Sequence, residues 1–365
     1  MVVARRPIRP FSSYCNLQPA QRILEHRHRK RVSGPALVHK SLARLNRSWE
    51  STFLTACSRR LVVPSWEAYT MSDHADDRSQ AGGTVDPKPA FKIGDFAGYI
   101  ISDGQVPYST DFVFSNAPAG VLQSGLAGRL DERGELQLPY HCLLVTTPSQ
   151  NLLVDAGLGQ AAAAAWGVPA AGRMLESLAG TGFSPADIDV VVISHGHPDH
   201  IGGLVDGRKL TFPGARHVME AREWDCWTDE DQLARLPDGL TETARVVLPL
   251  LAQADVVDVV RGETEVVPGV HLVPAPGHTN GHSVVTVASE GQQAIFLADA
   301  VLDELHFTHP RWLSAVDMMP DETIATRIRL LDEAARDSSL VLAYHVAGIG
   351  QVEHHHDGYR LFTQQ

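Results

Sequence analysis

The chain has 365 residues, 44% of them hydrophobic, which is enough to bury a substantial core. No run approaches the roughly 18 apolar residues that a membrane span needs, so no membrane partner is expected. Charge is uneven: residues 1–70 carry 13 Lys/Arg against 3 Asp/Glu, leaving 18 against 40 in the remainder, a balance of −22 that disfavours nucleic acid as a partner.

The first 70 residues show no sustained helical or strand period. RILEHRHRKR is a solvated basic run. An Arg-rich, Ser-containing, acid-poor segment is compatible with a transit peptide. The plainer reading takes Met71 as the working start and the segment before it as an over-extension. Residues 1–90 are therefore expected to form a basic, then polar, disordered extension, and residues 91–365 a single domain. Cys15, Cys57, Cys142 and Cys226 sit far apart with no CxxC pair. They read as reduced thiols, which points to a cytoplasmic setting. Cys142 and Cys226 are expected to be buried as small apolar side chains.

From Phe91 the texture becomes that of an ordered domain. FAGYIISDG predicts a strand followed by a turn, and YHCLLVTTPSQNLLVDAGLG a hairpin turning at Pro-Ser-Gln-Asn. RMLESLAGTGF predicts a helix ending near Gly180. SPADID is a helical turn into the strand VVVI. ARHVME is a strand, REWDCWTDEDQLARL begins a helix, and Thr241 to Ala254 is helical. VVDVV, VHLVPA, HSVVTVAS and QAIFLAD are four strand-like runs. DETIATRIRLLDEAARD is an amphipathic helix whose apolar face is expected at Ile324, Ile328, Leu331 and Ala335. SLVLAYH is expected to be the last strand. Many strands with interspersed helices predict an α/β fold, a four-layer αβ/βα sandwich.

Directly after VVVI comes SHGHPDHIGGL. In extended backbone, residues two apart point the same way, so His195, His197 and Asp199 can converge, with His200 entering from the turn into a following helix. Imidazole and carboxylate are the ligands that borderline divalent metals accept. Four such groups exceed what one tetrahedral ion takes from one loop, which suggests two metals, or one metal and a base. Further candidates stand at strand ends: His278 in PAPGHTNGH, Asp299 in IFLADA and His345 in VLAYHVAG. Charged or imidazole groups there are costly unless paired or metal-bound.

VDAGLG, SHGHPDH, PAPGHTNGH, LADA and AYH, in this order, resemble the metallo-β-lactamase superfamily of hydrolases from about Phe91 to the C-terminus. The resemblance implies the αβ/βα sandwich and two divalent metal ions, with zinc expected and iron, manganese or cobalt also compatible. It gives one metal to His195, His197 and His278, and the other to Asp199, His200 and His345, with Asp299 bridging. It makes Asp155 a residue that orients ligand histidines from behind, and His282 a structural histidine. Its implied chemistry is hydrolysis by a metal-bridged hydroxide, with Asp199 moving the proton. Such enzymes act on small molecules, and those of this branch are often homodimers.

The bridging Asp299 resembles the dinuclear branch, close to methyl-parathion-hydrolase-like phosphotriesterases and acyl-homoserine lactonases, rather than true β-lactamases. The substrate expected is a small neutral ester, lactone or phosphotriester. Acyl-homoserine lactonases carry a Tyr three residues after the bridging Asp, where this chain has Leu302. The alternatives are a glyoxalase-II-like thioesterase and an iron-dependent oxidoreductase of the same fold with persulfide or oxygen chemistry. Phe112, Phe114, Trp224 and Trp227 are candidates for an aromatic substrate pocket, with packing in the core as the competing role. His306 and His309 are candidates to flank the site, and His354, His355 and His356 are expected to be exposed.

Overall fold

A computed structural model describes residues 88–363. The expectations for the basic extension, the alternative start at Met71, and Cys15 and Cys57 lie outside the described residues. Strands β1 (Phe91–Ile93), β2 (Phe96–Ser109), β3 (Glu135–Thr146), β4 (Asn151–Val154) and β5 (Val190–Ile193) follow in chain order. The small pair β6 (Val205–Asp206) and β7 (Lys209–Leu210) comes next, then β8 (Arg216–Glu220) and β9 (Val257–Val260). All except β6 and β7 form one seven-stranded sheet in the order β1-β2-β3-β4-β5-β8-β9, antiparallel as far as β4 and parallel from there on.

The second sheet is built in sequence order from β10 (Thr264–Val267), β11 (Val270–Pro274), β12 (Ser283–Ser289), β13 (Gln292–Phe296), β14 (Leu340–Leu342), β15 (Gly350–His355) and β16 (Gly358–Thr363). Only β13 and β14 pair in parallel. A parallel pair needs a long crossover, and residues 297–339 supply it, including the helix Pro320–Asp337.

The period of two along each strand sorts the core into layers. Val285 and Val287 of β12, Ala294 and Phe296 of β13, and Leu340 and Leu342 of β14 join the main core, which also holds Leu143 to Val145, Leu152 to Val154 and Val190 to Ile193 of the first sheet. Their neighbours Val284, Ile295 and Val341 face the other way and pack with Leu330, Leu331 and Ala334 of the helix Pro320–Asp337. Ala244, Val247, Leu248 and Leu251 of the helix Asp238–Gln253 extend the main core. The architecture is the expected αβ/βα sandwich.

Several local expectations are corrected. No turn interrupts FAGYIISDG: β2 runs on to Ser109 and absorbs Asp103 as a bulge between Ser102 and Gly104. An extra residue bends the strand without ending it, and the buried Asp103 carboxylate takes the backbone N–H groups of Leu158, Gly172 and Met174. Burial lifts this carboxyl to about 6 against the pull of those donors. The helix begun at REWDCW stops at Thr228, because Asp229 turns out and caps a second short helix, Glu230–Leu233. TEVV forms β10, which the sequence pattern did not single out. SLVLAYH is not the last strand, since the hairpin β15–β16 covers its edge. His354, His355 and His356 are exposed on that hairpin.

The helix Pro320–Asp337 buries Thr323, Thr326, Arg327, Leu330, Leu331 and Ala334, a face rotated from the expected one. Arg327 causes the rotation. Its buried guanidinium donates to the backbone carbonyls of Ala300, Pro310 and Trp312, and so ties down the crossover loop.

Candidate metal centre

The parallel geometry of β4, β5, β13 and β14 brings their carboxyl ends to one edge of the sandwich, where open α/β sheets place ligands. The all-buried β5 ends at Ile193 and delivers Ser194 to His197, and the one-turn helix Pro198–Ile201 then presents Asp199 and His200. His278 sits in the turn after β11, Asp299 in a single 3-10 turn after β13, and His345 just past β14. Gly202 and Gly203 are required here. A Cβ on either would sit about 2.0 Å and 1.9 Å from the carbonyl oxygens of Leu158 and Ala156. The histidine loop therefore lies directly on the VDAGLG loop.

Among the described residues, two groups of donors converge: His195, His197, His278 and Asp299, and next to them Asp199, His200 and His345. All seven are residues that the sequence singled out. The Asp299 carboxylate faces both groups. Its Oδ2 lies 3.3 Å from His278 Nε2 and 3.4 Å from His345 Nε2, and its Oδ1 lies 3.2 Å from His200 Nε2. Asp199 Oδ2 is 3.7 Å from His200 Nε2 and 3.5 Å from His345 Nε2.

The donor set fits divalent cations. His197 Nδ1 lies 3.0 Å from both His195 Nε2 and His278 Nε2. Nitrogens around one tetrahedral zinc, with bonds of 2.0–2.1 Å, are separated by roughly 3.3 Å. With the three imidazoles neutral, one proton on each, three nitrogens this close present more lone pairs than protons. Among the described residues, the buried His197 Nε2 has no hydrogen-bond partner, and His200 Nε2 and Asp299 Oδ1, 3.2 Å apart, have none besides each other. Leaving such atoms unsatisfied is costly, and a cation between them removes the cost.

What lies behind the donors fixes their tautomers. Asp155 takes Ser194 N and Ser194 Oγ at 2.8 Å each and meets His200 Nδ1 at 2.8 Å. It does so from a left-handed backbone conformation, φ 61°. His345 Nδ1 donates to the Pro139 carbonyl at 3.1 Å and leaves Nε2 for the site. His278 Nδ1 meets Asp317 Oδ1 at 2.9 Å. His282 differs: its Nδ1 donates to the Ala275 carbonyl and its Nε2 accepts from Asp299 N. Both nitrogens face backbone and neither remains for an ion.

The electrostatics separate these histidines. Burial would keep His278 neutral, but the carboxylates of Asp299 and Asp317 outweigh it and lift the imidazole to about 9. Burial and the neighbouring His278 push His282 down to about 3. Burial holds His195 and His197 well below the ordinary histidine value, so both stay neutral. Burial raises Asp199 against the pull of His200 and His345.

Four supporting residues escaped sequence reasoning. Glu223 is buried and accepts from Gly196 N, Trp227 Nε1, Thr279 Oγ1 and Gly281 N at 2.6–2.9 Å, so it joins the loop of His195 and His197 to that of His278. The signal available was a glutamate four residues before a tryptophan on one helix face. Asp317 sits in SAVDMMP, where no pattern marks it. Tyr344 donates to the Asp199 carbonyl at 2.5 Å, and its ring lies 4.0 Å from that of His200, tilted by 35°. Ser194 links Asp155 to His195.

The aromatic candidates divide. Trp227 is buried, 5.4 Å edge-on from His197, and Phe114 is buried with Leu302 and Trp312. Trp224 and Phe112 keep partial exposure, and Phe112 stacks on Tyr108 at 4.8 Å. His306 is buried 5.1 Å from Phe114, and His309 stacks on Trp312; neither joins the converging donors. Cys142 and Cys226 are both buried.

Comparison with known proteins places this geometry. Residues 137–355 match the family described as the metallo-beta-lactamase superfamily. An N-acyl homoserine lactonase from Bacillus sp is 26% identical over 176 residues, covering 44% of this chain and 63% of that protein. An N-acyl homoserine lactonase of Bacillus thuringiensis is 24% identical over 225 residues, 58% of this chain and 82% of that protein. The solved structure of AidC, a dizinc quorum-quenching lactonase in complex with a product, superposes with a TM-score of 0.68 at 24% identity, over 75% of this chain and 96% of that one. The structure of hydrolase AbOPH gives 0.69 at 22% identity, over 78% and 99%. These structural likenesses speak for the fold. The family match spans more than half of the sequence and the sandwich agrees with it, so the chain belongs to the metallo-beta-lactamase superfamily.

Proposed function

We propose that this protein is a metal-dependent hydrolase that opens a small neutral lactone or ester, with an N-acyl homoserine lactone as the first candidate. The domain beginning near residue 91 is the catalytic unit. The observation that carries this reading is the Asp299 carboxylate, held 3.2–3.4 Å from donors of both groups. One ion would be held by His195, His197 and His278, the other by Asp199, His200 and His345, with Asp299 shared. Zinc suits the nitrogen and oxygen donors best among structural precedents, and iron, manganese and cobalt accept the same set. The chemistry such ions supply when bound is Lewis acidity toward a carbonyl oxygen and toward water.

The chain's own groups do the rest. Of the two converging carboxylates the Asp199 side chain is the more open, 11% exposed against 3% for Asp299, and burial raises its pKa. It takes a proton from the attacking water and passes it to the leaving alkoxide, a role that contributes about 10²–10⁴-fold. Tyr344 fixes the backbone of Asp199 during that transfer. The carbonyls and carboxylates behind the histidines keep their outer nitrogens protonated and their inner nitrogens directed at the site.

The test compares kcat/KM for a long-chain N-acyl homoserine lactone with that for an aryl phosphotriester, using the Asp299→Ala variant as blank. Lactone turnover that disappears together with bound metal in the variant is the expected result. Replacing this shared ligand should cost more than the roughly 100-fold in metal affinity seen for outer partners. A preference for the phosphotriester would move the protein to the other branch. Full activity in Asp299→Ala would remove the shared-ligand assignment.

A further inference from the structure

A hydrogen-bonded pair of tyrosines starts at His345, and the mechanism above does not use it. Tyr108 of β2 and Tyr140 of β3 lie on the same face of neighbouring strands, where Gly104 pairs with Tyr140 and Tyr108 with Leu136. Their side chains lean toward each other along the strands until the hydroxyls meet at 2.5 Å. Tyr140 is fully buried, with its ring edge-on to His345 at 5.2 Å. The residue before it, Pro139, supplies the carbonyl that holds His345. Tyr108 is half-buried, and Phe112 fixes its ring by stacking at 4.8 Å.

Proton counting gives the pair a direction. Two hydroxyls bring two protons, and the shared bond consumes one. Among the described residues no hydrogen bond takes the other. An unspent proton is costly in the fully buried position and cheap in the partly open one. Tyr140 therefore donates to Tyr108, and the Tyr108 O–H is left to point outward. Immediately after Asp299, Val301 and Leu302 are buried and apolar and bring no donor.

The geometry points to Tyr108 as the donor that meets the carbonyl oxygen of the substrate, with Tyr140 as the residue that positions it. This rests on the hydrolase reading above. As the oxygen of water bonds to the carbonyl carbon, negative charge gathers on the carbonyl oxygen, and the phenol strengthens its hydrogen bond there without giving up its proton. When the ring C–O bond breaks, the charge moves to the leaving oxygen. That oxygen receives the proton that Asp199 took from water, and lactone plus water becomes one hydroxy acid.

The experiment uses the full chain loaded with zinc, and the variants Tyr108→Phe and Tyr140→Phe. Three quantities are read: kcat and KM for N-hexanoyl homoserine lactone, bound zinc, and the calorimetric affinity for the open-chain N-hexanoyl homoserine. The expected result for Tyr108→Phe is a kcat lower by about 10²-fold, the usual cost of one oxyanion donor, with KM and zinc content unchanged. Affinity for the open-chain acid should fall about tenfold, as for a lost hydrogen bond to a charged group. Tyr140→Phe should lower kcat less, again without moving KM. Unchanged kcat and unchanged acid affinity in Tyr108→Phe would overturn the assignment and leave the hydrolase reading standing. A parent enzyme inactive on the lactone would remove that reading, and the acid affinity would then decide the role of Tyr108 alone. If Tyr108→Phe does not fold, Tyr140→Phe decides, and an unchanged kcat there overturns the proposal.

Discussion

The two donor groups at the sheet edge use the same residue types but are braced in different ways. His195, His197 and His278 come from two loops joined by one side chain, Glu223, which accepts one hydrogen bond from the first loop and two from the second. Asp199, His200 and His345 are held one by one: by a tyrosine hydroxyl on backbone, by Asp155 and by the Pro139 carbonyl. The first group thus shares one keystone in addition to the separate supports of His195 and His278, and the second has separate supports only. Loss of Glu223 should therefore disturb the first group more than the loss of any one support disturbs the second.

The largest expected effect follows from removing the keystone. Glu223→Ala leaves buried donors without acceptors, each costing about 1–3 kcal/mol. Denaturant titration should show a loss of several such increments, and metal analysis should show about one ion lost per chain. Retention of both ions would break the contrast. Next come Asp317→Asn and Asp155→Asn, which remove the carboxylate behind one histidine of each group. Each should weaken metal affinity by about 10–100-fold. Competition with a chelator should show the weaker ion changing in different groups for the two variants. Equal effects on both ions in either variant would mean that the groups act as one.

The smallest expected effect is a cancellation outside both groups. Asp103 of β2 has its carboxyl raised from 3.8 to about 6, first by burial. Between those values the folded state holds a proton that the unfolded state has released, so this group's contribution is full below pH 4 and is lost as pH rises to 6. His217 of β8 is lowered from 6.5 to about 4, again by burial. Here the unfolded state holds the extra proton, so its contribution is present above 6.5 and lost as pH falls to 4. Each slope is at most about 1.4 kcal/mol per pH unit, and the two oppose. Asp103→Asn should therefore unmask a stability that rises from pH 4 to 6 relative to the parent, and His217→Phe one that falls. Parallel denaturation curves across that range would refute the pairing.

The sequence made the donors legible because HxHxDH, GHTNGH, LADA and AYH each end a buried strand, and backbone geometry alone brings strand ends to one edge. It made the sandwich legible because apolar strand runs with helices between them imply sheets covered by helices, and β13 and β14 are indeed buried on both faces. Glu223 and Asp317 were not legible, because their partners lie in other loops and no local spacing records a bond across a gap. The buried face of the helix Pro320–Asp337 was misread because an arginine looks solvent-facing in sequence, whereas three carbonyls of a distant loop make the interior its best environment. The phenol pair escaped notice because Tyr108 and Tyr140 are 32 residues apart and meet only through strand register.

The sharing of the donors between sheets has a consequence for assembly. His195, His197, Asp199 and His200 follow the first sheet, while His278, Asp299 and His345 follow the second. Neither group can be completed until the two sheets have docked. An ion held in either group is therefore a cross-link between halves of the domain, and its capture reports the last docking step of folding rather than the formation of any one element. Stripping the metal should loosen the seam between the sheets before it melts either of them, with backbone amides along β11 and β5 exchanging ahead of those in β2 and β3.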